Sequence, residues 1–92
     1  IMAKREIRNV TLAADTEKEI IIPKGTNILT WQCRTAVDVK YAWKSGETAN
    51  NFFTLKSGAV YSERGAEFTE PDNKLYVRAA SIVVIEIETQ NT

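Results

Sequence analysis

The sequence predicts an all-β chain, a single small antiparallel β-sandwich or jelly-roll-like domain over residues 1–92, with about 7–8 short strands at the spacing usual for such folds. Three observations predict it. Side chains alternate between apolar and polar along most segments, and β-branched and aromatic residues fill those segments. Turn-forming residues then interrupt them roughly every 8–12 residues.

The elements follow in order. Residues 2–9 carry Lys4, Arg5, Glu6 and Arg8, and read as a free N-terminal arm. Met2 reads as the natural start, with Ile1 left ahead of it. No apolar stretch of signal-peptide length follows, so no secretory leader is expected. Residues 11–19 would tolerate a helix, but Asp15-Thr16-Glu17-Lys18 reads better as a polar turn. Pro23-Lys24-Gly25-Thr26-Asn27 then separates strand Lys18–Ile22 from strand 28–34. In the latter, Leu29, Trp31 and Cys33 oppose Thr30, Gln32 and Arg34.

Next, Val37, Val39, Tyr41 and Trp43 share one face, and Asp38, Lys40 and Ala42 the other. A polar loop, 45–51, leads to Phe52-Phe53-Thr54-Leu55 and a Ser57-Gly58 turn. Glu70-Pro71-Asp72-Asn73 precedes strand 75–79, with Pro71 suited to a turn's second position. In the closing strand, 82–88, Val83, Ile85 and Ile87 form the core face while Glu86 and Glu88 meet water. Ile82 and Val84 fall on the outer face, either covered by a loop or open to another subunit.

Composition narrows the function. Hydrophobic residues make up 43% and charged residues 26%, a globular balance. A folded chain of 10.3 kDa exposes about 5,400 Å², so a modest core leaves a role for a partner subunit. Twelve basic and twelve acidic residues cancel, which argues against nucleic acid or an anionic membrane as partner. No apolar run approaches the roughly 20 residues of a membrane helix. Without His and with one Cys, His-based catalysis, His-ligated metals and an intrachain disulfide are excluded. Residues 1–62 carry nine basic and six acidic side chains (+3), and 63–92 carry three and six (−3). That reads as ordinary scatter over a solvated surface, although two surfaces of opposite sign would suit head-to-tail self-association.

Cys33 reads as a packed, inert thiol, since no neighbouring base would activate it. Glu63, Glu67, Glu70 and Asp72 cluster in sequence but lack a calcium loop's spacing, so no metal is expected. Two carboxylates could in principle cleave a glycoside, but a chain this short has little room for a cleft. No catalytic residue and no cofactor is expected, and the chain reads as a non-enzyme. Arg34, Lys40 and Lys44 could line a strip for phosphate, but Asp38 interrupts it and a solvated face is expected. Tyr41, on a face with Val37 and Val39, is expected in the core. Phe52 and Phe53 are adjacent, so on an extended strand one must face outward. With Trp43 they flank the polar loop, and the rim of Trp43, Phe52 and Phe53 is the expected interaction patch, for protein or sugar.

The order of features from Val37 to Glu88 adds a resemblance. A strand 37–42 enters a Gly-bearing loop at Ser45-Gly46. Phe53-Thr54-Leu55-Lys56-Ser57-Gly58, Tyr61-Ser62-Glu63, Leu75-Tyr76-Val77-Arg78-Ala79 and Val84-Ile85-Glu86-Ile87-Glu88 follow. This resembles small β-sandwich virion proteins of tailed bacteriophages, of the accessory, decoration or fibre type. The resemblance implies a non-enzymatic structural protein in the virion, assembled in the host cytoplasm. It also implies a homo-oligomer, a trimer among the expected states, docked on capsid or tail through the 45–51 loop or the 2–9 arm. The alternative is a small carbohydrate- or peptide-binding module using the aromatic rim.

Overall fold

The two-residue period decides which face each strand buries. In this computed structural model, which describes residues 4–70 and 73–92, eight strands form among the described residues. They are β1 (Lys4–Leu12), β2 (Lys18–Ile22), β3 (Thr26–Cys33), β4 (Val39–Ala42), β5 (Phe53–Leu55), β6 (Val60–Phe68), β7 (Asn73–Arg78) and β8 (Val83–Asn91). A 3₁₀ turn, Glu47–Ala49, interrupts the link from β4 to β5. Along β8, Val83, Ile85, Ile87 and Thr89 are buried while the residues between them are half-exposed, as the alternation requires.

Two four-stranded sheets result, ordered β1-β8-β3-β6 and β2-β7-β4-β5. The antiparallel pairs β1 with β8, β2 with β7, β3 with β6 and β4 with β5 are the rungs of one long hairpin. Folding that hairpin on itself puts alternate rungs in opposite sheets. The β3–β8 and β4–β7 pairs then close each sheet. This is the strand order of an eight-stranded jelly roll, and the expected all-β sandwich is the fold observed.

The core lies between the sheets. Leu12, Ile22, Leu29, Trp31, Val39, Leu75, Val77 and Ile85 are wholly buried there, and hydrophobic burial of this kind is the dominant favourable term in folding. Gly25 (φ +89°) shapes the β2–β3 turn, and its N–H donates to the Phe68 carbonyl at 2.8 Å. A Cβ at Gly25 would stand 2.9 Å from Asn91 Nδ2, so only glycine fits without a shift. The register against β6 then slips between Thr26, which faces Phe68, and Ile28, which faces Arg64.

Several expectations change. Residues 4–9 are not a free arm but the start of β1, paired with β8 from Lys4 onward; Met2 and Ala3 lie outside the described residues. Ala42 is buried, not solvated, because the loop carrying the 3₁₀ turn folds back over its face of β4. Val84 is half-covered while Ile82 is exposed. The turn expected at Pro71 and Asp72 lies outside the described residues. Among the described residues no helix is long and apolar enough to cross a membrane.

Candidate interaction surface

The two sheets open on two sides, and the sequence equips them differently. On one side run the edge strands β5 and β6. Tyr41 and Phe53 are direct partners across β4 and β5, and their rings stack with centroids 6.0 Å apart. Tyr41 also meets Trp31 edge-on at 5.3 Å and Tyr61 at 5.4 Å. Trp43, two residues beyond Tyr41 on the same face, packs against Tyr61 at 6.3 Å and Phe68 at 6.1 Å. This array bridges the sheets and reaches the surface. Trp43 is 43% exposed and Phe53 74%, since β5 is a three-residue strand at the sheet edge.

Beneath the rim, burial pushes the Tyr61 phenol well above its ordinary value, and the Glu63 carboxylate, which accepts its hydrogen bond at 2.9 Å, pushes it further. Burial raises Tyr41 as well, with the Glu63 charge adding to it. Both phenols stay neutral at ordinary pH.

The expected three-residue patch divides. Phe52 points to the opposite face from Phe53, as neighbours on an extended chain do. There the Lys40 ammonium lies 4.8 Å from its ring centroid, a cation–π contact. Trp43 and Phe53 both pack on Tyr41; Phe52 lies on the other face.

On the other side, formed by β1 and β2, edge groups are occupied by charge. Arg8 reaches from β1 to donate to the Ile21 carbonyl of β2 at 2.7 Å. Glu6 lies 3.4 Å from Arg8 Nε as an ion pair, without a hydrogen bond from that nitrogen. Inward-pointing charge on an edge strand discourages further strand pairing.

The 45–51 loop is pinned rather than free. Glu17, in the β1–β2 turn, accepts from the Gly46 N–H at 2.9 Å, the Thr48 N–H at 3.3 Å and the Thr48 hydroxyl at 2.5 Å. Partial burial would raise this carboxyl, but those donors and the Arg78 charge outweigh it and hold it below its ordinary value. Gly46 takes φ +84° at the start of the 3₁₀ turn, a left-handed conformation that glycine adopts freely.

Arg34 and Lys40 do not line one strip. Arg34 pairs with Glu86 beside the first sheet at 2.9 Å, while Lys40 lies on the second. Hydrogen bonds from Gln32 and Arg34 hold Glu86 below its ordinary value. Lys40 instead faces Arg78 across β4 and β7, a pairing that sequence spacing does not reveal. Glu17 and Arg8 were likewise missed, because each acts through a partner distant in sequence. Cys33 is partly buried against the core. Among the described residues no group of three or more His, Cys, Asp or Glu could hold a metal.

No protein-family model matches the chain, and no curated protein matches it. A solved chain from Bacillus endospore appendages, described as forming "a novel family of disulfide-linked pili", is similar in fold. The likeness covers 98% of this chain and 88% of that one, with a TM-score of 0.50 and 12% identity. At that identity it is the β-sandwich that the two chains share.

Proposed function

We propose that this chain is a non-enzymatic structural subunit that self-associates through its β5–β6 side. The observation that carries the reading is the asymmetry of the two open sides. Arg8 and Glu6 guard the β1–β2 side, whereas the β5–β6 side presents Phe53 and Trp43 on a continuous aromatic array. Solvent-exposed aromatics of this kind are the usual anchors of protein interfaces. The similar Bacillus chain is described as forming pili, assemblies of repeated subunits, which supports a structural role. Cys33 is half-buried against the core, and the association proposed is noncovalent. The setting proposed is the virion of a tailed bacteriophage or prophage, on capsid or tail, supported by the resemblance that the sequence features of residues 37–88 carry.

Sedimentation velocity over a rising concentration series tests the association. The expected result is a species heavier than the 10.3 kDa monomer, a trimer among the candidates. A single monomer peak throughout would contradict it.

One observation favours a second reading, glycan binding. A hollow of about 330 Å³ beside Trp43 is lined also by Phe68, Asn73, Lys74 and Tyr76, combining aromatic surface with hydrogen-bonding side chains as sugar sites do. A protein that stays monomeric and retains a neutral oligosaccharide on an affinity column would favour this reading.

A further inference from the structure

The outer face of the second sheet sets two cations directly against each other. Lys40 on β4 and Arg78 on β7 are cross-strand partners, a placement that brings Cβ atoms to about 5 Å and makes like charges destabilising. Two other cations on this surface end on carboxylates: Lys56 on Asp38 at 3.9 Å, Lys74 on Glu19 at 2.8 Å. Lys40 ends on the Phe52 ring, and Arg78 donates to the Thr48 hydroxyl at 3.3 Å and the Asp15 carbonyl at 3.1 Å. Glu17, which feels the Arg78 charge, is already taken by the Gly46 and Thr48 donors.

Lys40 and Arg78 both line an open hollow of about 240 Å³, with Thr54, Lys56, Asp15 and Asp38 around it. Asp38 is engaged by Lys56 and by the Ser57 N–H at 2.8 Å. Three cations therefore stand against two carboxylates, one of them already paired. Thr54, the partner of Lys40 on β5, adds a hydroxyl to the same row.

We propose that this hollow binds a phosphate monoester, its dianionic group seated between Lys40 and Arg78 with the Thr54 hydroxyl donating. A dianion relieves the repulsion between both cations at once, and a guanidinium suits phosphate oxygens. The hollow is larger than a phosphate ion, which leaves room for the esterified group.

Thermal unfolding at matched ionic strength tests this, with chloride, inorganic phosphate, glucose 6-phosphate and glucose as probes, on wild type, Lys40→Gln and Lys40→Met. Lys40→Met keeps an apolar stem over Phe52. In chloride both variants are expected to unfold no lower than wild type, because the opposed charge is gone. Glucose 6-phosphate at several times its Kd should raise the wild-type Tm by about 4 °C or more, with no rise in either variant and none from glucose. A smaller rise with inorganic phosphate supports the ester as ligand. Equal rises from the two phosphates would assign the site to the free anion and overturn the ester. Absence of any rise, an equal rise in the variants, or variants clearly less stable in chloride would overturn the site.

Discussion

Tyr41 and Phe53 stack face to face across β4 and β5, 22° from parallel, yet Tyr41 packs against the core while Phe53 is 74% exposed. One ring of the pair thus belongs to the fold and the other to the surface. Replacing Phe53 by Asp should then cost the isolated subunit within about 1 kcal/mol, as exposed substitutions usually do. Urea unfolding checks this, and a loss above about 3 kcal/mol would make Phe53 a core residue instead.

Arg8 closes the opposite side. Arg8→Leu removes the guanidinium from the Ile21 carbonyl and leaves a β2 edge acceptor open to another chain. Turbidity and light scattering on storage should rise above wild type. Unchanged scattering would mean that Arg8 does not guard that edge.

Glu17 ties the 45–51 loop to the β1–β2 turn. Because its folded pKa lies below its ordinary value of 4.5, the stabilisation is complete above that pH and fades as pH falls through the folded value. Amide exchange at Gly46 and Thr48 should therefore quicken relative to the core strands below about pH 4.5. Glu17→Ala should quicken it about tenfold or more at neutral pH, from loss of charge-assisted hydrogen bonds. Equal protection in the variant would show that the loop holds without this carboxylate.

Tyr61 and Tyr41 titrate in the opposite sense. Their folded pKa values are raised above the ordinary 10.0, so their contribution is whole below that pH and lost as pH climbs beyond it. Absorbance of tyrosinate should lag in the folded protein and appear with unfolding, measured by circular dichroism in the same samples. Full ionisation of Tyr41 and Tyr61 near pH 10 in folded protein would contradict the buried array.

Much of the fold was legible because its signals are local. In β8, burial repeats every second residue, and Val83, Ile85 and Ile87 point where alternation puts them. β1 gave no such signal. Its inward positions are Glu6, Arg8, Val10 and Leu12, and two of those four are charged because the strand lies at an edge. Ala42 was misplaced for a related reason: the loop that covers it returns from beyond the strand. The candidate rim was half legible. Adjacency alone shows that Phe52 and Phe53 part company, but which one joins Trp43 on Tyr41 depends on the register of β4 against β5. The facing of Lys40 and Arg78 depends on register too, and alternation along one strand says nothing about its neighbour's.

The most direct test is the mass of the folded protein in solution, by light scattering coupled to size exclusion, for wild type and Phe53→Asp side by side. The account predicts a wild-type mass that is a multiple of 10.3 kDa and a folded Phe53→Asp protein at the single-chain mass. Equal masses for the two proteins, whether both assembled or both monomeric, would contradict it.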